Sequence, residues 1–308
     1  MSRVVVIGGA NTDVVGVSAD PLIAADSNPG VVRFSAGGVA RNIAENLARL
    51  GEQVELVTAL GDDHAARMLA SSCRDAGIGL EHSITVAGTP GSVYLAVIDS
   101  GGDLVAAVSD MRALDALTPS AIERALKGMP APDALVFDTN ISAEAIVAAC
   151  GWTPGIPVFA DCVSVAKAPR IRESLAHVSA LHVNALEAET LTGVAVRDTA
   201  DGASRASEHL HRLGVERVYI TDGPRGVYYS SAEESGRIAA PRVGVENVTG
   251  AGDAFMAGVV WGTLQEMPVS AAARTGVAAA AITLRSPSTV SPGIDAGAVS
   301  ALAEEIAR

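Results

Sequence analysis

Short apolar runs recur along this chain at intervals too wide for hairpins, and that spacing narrows the available folds more than any other feature. The runs are Val4–Ile7, Val54–Val57, Ala134–Phe137, Pro157–Ala160, Ala180–Val183 and Arg217–Ile220. Each is a strand's length and largely apolar rather than alternating, the pattern of strands buried on both faces. Between them lie Ala- and Leu-rich stretches of helical period, for example Ile43, Leu47 and Leu50 ending at Gly51. Strands joined through helices pair in parallel, so the expected fold class is α/β: a doubly wound, mostly parallel sheet flanked by helices. Polar residues at the carboxyl ends of such strands converge on one rim, where open sheets bind ligands. At 308 residues and 49% hydrophobic, the chain suffices for a single domain spanning 1–308. Aromatics are only 3%, so Ala, Val and Leu must fill its core.

Two stretches break this rhythm. Val31–Ser35 and Ser92–Val108 read as antiparallel strands without crossover helices, the second folded at the turn Asp99–Asp103. They predict a small antiparallel β-sheet inserted from about 14–36 and 88–110, projecting as a lid. The alternative is an edge extension of the main sheet.

The net charge of −13 and the lack of a basic block argue against nucleic-acid polymers and anionic membranes as partners. A small anionic ligand would need backbone amides, a metal ion or a few local cations. Cys73, Cys150 and Cys162 are odd in number and lack CxxC spacing, which suggests reduced, buried thiols and a cytoplasmic location. The first apolar run is too short for a signal segment, and no run approaches a membrane span. The triplets at Asn140 and Asn247 are therefore not expected to carry glycans. His209 and His211 are two apart and face different sides of a helix, so they do not form a metal pair.

The segment Asn247–Gly258 concentrates the chemistry. Gly250 and Gly252 permit a tight turn, and the apolar helical pattern behind them supplies unpaired N–H groups and a dipole's positive end. Such a nest holds an anion, typically phosphate. Asp253 sits inside it, either as a helix cap or as a base for a hydroxyl attacking phosphorus. No Gly-Lys-Ser/Thr occurs, and Gly250-Ala-Gly252 is followed by Phe255 where a dinucleotide fingerprint needs glycine. Asn11 and Asp13 follow the first strand, where a carboxylate could accept two bonds from a vicinal diol or simply form an Asx-turn. Gly37 and Gly38 open a helix carrying Asn42, which can both donate to and accept from sugar hydroxyls. Asn42 and Asn46 share a face, and Glu45 and Arg49 suit a surface i,i+4 pair. Asn184 and Glu187 follow another strand at i,i+3, suited to a hydrated Mg²⁺ and a triphosphate. Thr221, Gly223 and Gly226 follow the next, in a turn that suits a nucleotide and also a plain hairpin.

As an ordered set, Asn11-x-Asp13, Gly37-Gly38 with Asn42, Asn184-x-x-Glu187, Thr221-x-Gly223-x-x-Gly226 and Thr249-Gly-Ala-Gly-Asp253 resemble the PfkB (ribokinase-like) carbohydrate kinases across nearly the whole chain. The resemblance implies an ATP-dependent kinase of a sugar or nucleoside hydroxyl, with the doubly wound sheet and a β-lid that often forms a homodimer surface. The segments Ala25–Gly30, Gly37–Gly51, Asn140–Ser142, Asp110-Met111 and Asp161 with Lys167 are similar to those of the branch that phosphorylates pseudouridine at its ribose 5′-hydroxyl. Ala40, in place of a glycine, and Cys162, in place of a proline, depart from that pattern.

The resemblance implies that Asp253 is the base and the amides of Gly250, Ala251, Gly252 and Asp253 are an anion hole. Asn11, Asp13, Gly37, Gly38 and Asn42 would hold the ribose, with Asn140 and Lys167 near the sugar or base. Asn184, Thr221, Gly223 and Gly226 would contact ATP, and Glu187 would hold Mg²⁺ through water. Asn28 and Ser92 are further candidates for reading the base. Related kinases often begin the signature with an acidic residue; neutral Asn247 predicts weak or absent dependence on a monovalent cation such as K⁺. Another nucleoside or ribose kinase on the same scaffold is the alternative, and a non-catalytic ligand-binding protein the reading from a different class.

Overall fold

The strands are continuous in Val, Ile, Leu and Ala because the sheet they build is covered on both faces. The computed structural model describes residues 1–152, 155–197 and 199–308. The first half runs β1 (Arg3–Ile7), β2 (Asn11–Ser18), β3 (Gly30–Gly37), α1 (Val39–Arg49), β4 (Gln53–Val57), β5 (Ala59–Leu60), α2 (His64–Asp75), β6 (Ile84–Thr85), β7 (Val93–Ile98), β8 (Leu104–Asp110) and α3 (Pro119–Gly128). There follow β9 (Ala134–Asp138), α4 (Ala143–Gly151), β10 (Val158–Asp161), β11 (Ala180–Asn184), α5 (Ala185–Thr192), α6 (Gly202–Arg212) and β12 (Arg217–Thr221). The chain closes with β13 (Val227–Ser230), β14 (Ser235–Ile238), α7 (Ala251–Leu264), α8 (Val269–Leu284) and α9 (Ala296–Ile306).

Among the described residues the main sheet has the order β14-β13-β12-β11-β10-β9-β1-β4. It is parallel from β4 to β12 and antiparallel at β13 and β14. Its period-two alternation divides the core. Val4, Val6, Val136, Phe159 and Tyr219 face one side and pack with apolar residues of α1, α2, α7, α8 and α9. Val5, Ile7, Phe137, Ala160, Val218 and Ile220 face the other, against α3 to α6. On α7, a Cβ at Gly258 would come within 2.6 Å of the Thr275 carbonyl oxygen of α8, so that glycine sets how closely the two helices approach.

The expected second sheet is present with the order β3-β2-β7-β8. Two antiparallel hairpins, β2–β3 and β7–β8, join through a parallel β2–β7 pair. At the second hairpin, Asp99 Oδ1 accepts from the amides of Gly101 (2.8 Å) and Asp103 (2.9 Å), closing the turn read from the sequence. The boundary differs at one end: the second sheet begins not at about residue 14 but at Asn11, and Asn11–Asp13 are the first residues of β2, in register with Gly37–Ser35. Their polar side chains hide the strand, because strand propensity largely reflects packing with cross-strand neighbours that the sequence does not name. Val31, Val32, Phe34, Leu104, Val105 and Val108 of this sheet are exposed.

The segment after β12 forms a hairpin: a 3₁₀ turn, Gly223–Arg225, leads into β13, and Gly226 adopts φ 90°. A Cβ there would collide with the Ile238 carbonyl oxygen. Gly226→Ala should therefore lower the unfolding free energy by about 2 kcal/mol. The check is a lower urea midpoint at unchanged m.

Candidate active site

Asp138, the last residue of β9, is completely buried and organises the carboxyl rim. Its Oδ2 accepts from the amides of Gly9 (3.0 Å) and Ala40 (2.9 Å) and from Asn140 Nδ2 (2.8 Å), while Oδ1 accepts from the Asn140 amide (2.8 Å). The carboxylate thus caps α1 from another strand, since Gly38 at the N-cap has no side chain to do so. Burial pushes the Asp138 carboxyl up, and the four donors pull it back. Sequence reasoning missed this residue, although an acidic residue closing a buried strand at the rim was a usable signal.

The substrate-side candidates gather around this point. Asn11 Nδ2 donates to Asp13 Oδ1 (2.6 Å), and a Cβ at Gly37 would collide with the Asp13 carboxylate. Burial raises the Asp13 carboxyl, while Asn11 and Arg41 act to lower it. At Gly38 a Cβ would lie 2.5 Å from the Gly9 carbonyl oxygen, so the turn into α1 has no room for a side chain. Both ends of the Asn140 carboxamide are engaged, with Nδ2 on Asp138 and Oδ1 accepting from Lys167 Nζ (2.6 Å). Arg170 fastens the same loop by donating to the carbonyls of Thr139, Asn140 and Ile141. Partial burial lowers the Lys167 ammonium, against the attraction of Asp138. Of the two further base-reading candidates, Asn28 is spent on its own loop, bonded to Ile23 and Asp26. The buried Ser92 hydroxyl has no hydrogen-bond partner.

Asn42 and Asp253, 211 residues apart, meet directly: Asn42 Nδ2 donates to Asp253 Oδ2 at 2.7 Å. Gly250 precedes α7 in the left-handed region at φ 85°, and a Cβ there would collide with the Thr289 carbonyl. The first bond of α7 runs from the Ala254 amide to the Gly250 carbonyl (2.9 Å). The amides of Ala251, Gly252 and Asp253 therefore lie ahead of the helical ladder, as an anion nest requires. Asp253 does not cap α7, which has no side-chain cap. Burial and the charge of Asp161, with Asp138 behind it, push its carboxyl up to about 8; Asn42 and His182 pull the other way.

Among the nucleotide-side candidates, strand register sets Asn184 opposite Thr221. Asn184 and Glu187 form a capping box for α5: Asn184 Oδ1 accepts from the amides of Leu186 and Glu187, and Glu187 Oε2 accepts from the Asn184 amide at 2.8 Å. Burial raises the Glu187 carboxyl, as does Asp161. His182, which sequence reasoning left unassigned, lies beneath this group. It bonds Asp161 Oδ2 through Nδ1 (2.7 Å) and Thr221 Oγ1 through Nε2 (3.1 Å), with its ring 4.9 Å from that of Phe255. Burial acts to lower the His182 imidazolium, but Asp161 and the charges of Glu187 and Asp253 leave it raised.

One expected surface pair is corrected. Glu45 is buried, because Arg41 on the preceding turn is buried too and shares it with Arg49. Helical spacing finds such a pair but does not report what covers it.

A doubly wound sheet with unpaired helix-start amides beside a buried carboxylate at its rim suits phosphoryl transfer. The family model of pfkB family carbohydrate kinases matches residues 1–296, and the chain belongs to that family. It is a phosphotransferase acting on a hydroxyl group, with a ribokinase-like fold. The pseudouridine kinase of Escherichia coli strain K12 is 37% identical over 98% of this chain and 96% of its own. The uncharacterized sugar kinase YeiI of the same strain is 35% identical over 95% and 81%. A crystal structure of a putative sugar kinase from Clostridium perfringens superposes with a TM-score of 0.86 at 29% identity, covering 99% and 96%. Among the described residues, no helix is long and apolar enough to cross a membrane.

The position of Asp253 has a consequence for stability. Its carboxyl titrates near 3.8 when unfolded and is raised to about 8 when folded. Between those values the folded state holds a proton that the unfolded state has lost, so stability falls as pH rises through this window. Asp253→Asn removes the cost of ionising a buried carboxyl. The variant should be more stable than the wild type at pH 8, with the difference shrinking toward pH 5, as read by urea denaturation across pH.

Proposed function

We propose that the protein transfers the γ-phosphoryl group of ATP to the ribose 5′-hydroxyl of pseudouridine. The observation that carries the chemistry is the contact between Asn42 and Asp253 at the mouth of α7. It leaves Asp253 Oδ1 as the oxygen free to accept a proton. As the 5′-oxygen bonds to phosphorus, the bond to the ADP oxygen breaks and the hydroxyl proton passes to Asp253. The Gly250–Asp253 amides stabilise the charge on the transferring group. Such transfer depends chiefly on positioning and charge stabilisation, which suits a site rich in amides and hydrogen-bond clamps.

In this reading Asn11, Asp13, Gly37, Gly38 and Asn42 form the ribose side. Lys167 faces the sugar or base, held by Asn140. Asn184, Thr221, Gly223 and Gly226 form the ATP side. Glu187 suits Mg²⁺ held through water: Oε2 is committed to the capping box while Oε1 is not, and among the described residues no group of three or more His, Cys, Asp and Glu side chains could hold a metal directly. When bound, Mg²⁺ supplies charge neutralisation for the phosphates. Weak or absent K⁺ dependence is retained in the reading, because Asn247 is neutral and both ends of its carboxamide are engaged, Oδ1 by the Thr249 amide and Nδ2 by the Pro287 carbonyl. The second sheet would act as the lid of a single domain spanning 1–308, excluding water that competes for the phosphoryl group.

The choice of pseudouridine is supported by the 37% identity to the Escherichia coli enzyme of that name. The 35% identity to YeiI favours keeping another nucleoside or sugar as the second reading. A panel of pseudouridine, uridine, adenosine and ribose with ATP decides between them. Pseudouridine should be turned over fastest, only with Mg²⁺; faster turnover of another acceptor would reject the assignment. Asp253→Asn should lower kcat roughly 10²–10⁴-fold while acceptor binding persists, whereas a non-catalytic binding protein would turn over nothing.

The reading includes a homodimer through the lid. Val32, Phe34, Leu95 and Val108 are exposed on one face, aligned by the β3-β2-β7-β8 register. Phe34→Glu should give a monomer in sedimentation where the wild type is a dimer; a wild-type monomer at micromolar concentration would reject this interface.

A further inference from the structure

We propose that Arg41 is a positioning residue for the Asp253 base, because its guanidinium determines which end of the Asn42 carboxamide faces that carboxylate. This rests on Asp253 being the base of the proposed reaction. Arg41 lies on the first turn of α1 yet is 4% exposed, so it contributes little to the surface. Its Nη1 donates to Asn42 Oδ1 (3.1 Å) and to the Ala36 carbonyl (3.2 Å). Its Nη2 donates to Glu45 Oε2 and to Ser72 Oγ (3.2 Å), and Glu45 Oε1 is held in turn by Arg49 (2.7 and 2.9 Å). The guanidinium is therefore anchored by α1, α2 and the end of β3 before it touches Asn42.

A carboxamide presents an oxygen and an NH₂ group of nearly the same shape, and its neighbours decide the orientation. With donors at Arg41 and acceptors at Asp253, one orientation satisfies both contacts. The flipped one would set the amide oxygen against a carboxylate oxygen and the NH₂ against a cation. In the observed orientation Asn42 donates to Asp253, which favours the ionised form that takes a proton. The other charged groups around Asp253 are Asp161 at the end of β10, Asp138 at the end of β9 and His182 on β11. The carboxylates oppose ionisation, and Asn42 and His182 favour it. Without Arg41 the carboxamide is free to rotate, and Asp253 loses a directed donor.

The test is the pH profile of kcat/KM for the acceptor at saturating Mg-ATP. Arg41→Met should move the acid limb upward by about one pH unit, with a roughly tenfold loss below the limb and convergence above it. Arg41→Met/Glu45→Met removes the buried charges together and should shift the limb equally, which covers a failure of the single variant to fold. A uniform loss at every pH would assign Arg41 to folding alone and overturn the proposal, as would an unmoved limb. Carbon-13 NMR titration of the Asp253 carboxyl, identified by its absence in Asp253→Asn, separates this from the acceptor assignment. The Arg41 variants should raise its midpoint even if pseudouridine is not the substrate, and an unchanged midpoint would refute the proposal.

Discussion

The rim of the sheet depends on one fully buried carboxylate. Asp138 gathers the Gly9 and Ala40 amides and both nitrogens of Asn140, and so joins the end of β1, the start of α1 and the loop after β9. An ionised carboxyl without water is tolerated only with such a set of donors. Because α1 is capped in this way, its first turn is fixed relative to the sheet, and Asn42 is carried to Asp253. Breaking the set would strand a buried polar group and release the helix that carries Asn42.

The same rim concentrates negative charge. Asp138, Asp161, Glu187 and Asp253 all close strands or open helices there and are buried. Burial raises the carboxyls of Asp253 and Glu187, and the charge of Asp161 adds to both. Burying carboxylates is costly even where each has a hydrogen-bond partner, and that cost is typical of sites that rely on a cationic ligand or on a base poised near neutral pH. His182 offsets part of it by bridging Asp161 and Thr221, and so connects the ends of β10 and β12.

Much of this was legible in the sequence. The expected parallel strands form, since runs of buried β-branched and aliphatic residues leave few alternatives. The hairpin at Asp99–Asp103 follows from its turn residues. The glycines before Asp253 were legible because two of them preceding an apolar helical pattern have few structural uses. The second sheet was seen less completely: Asn11–Asp13 were weighed as a diol clamp or an Asx-turn, and their place at the start of β2 was missed because polar residues there do not look like strand until β3 is placed beside them. Glu45, expected with Arg49 in a surface pair, was misjudged for a related reason, since helical spacing relates residues on one helix but does not report what buries them.

Local pattern therefore determined most of the elements, their order and the glycine turn into α7, because these arise from periodicity, turn chemistry and the amides at a helix start. Tertiary structure decided the contacts that make a site of them. Asn42 and Asp253 lie 211 residues apart, and Asp138 caps a helix 98 residues before it. No local rule pairs such residues, because their meeting depends on where parallel strands end and on the donors left when water is excluded.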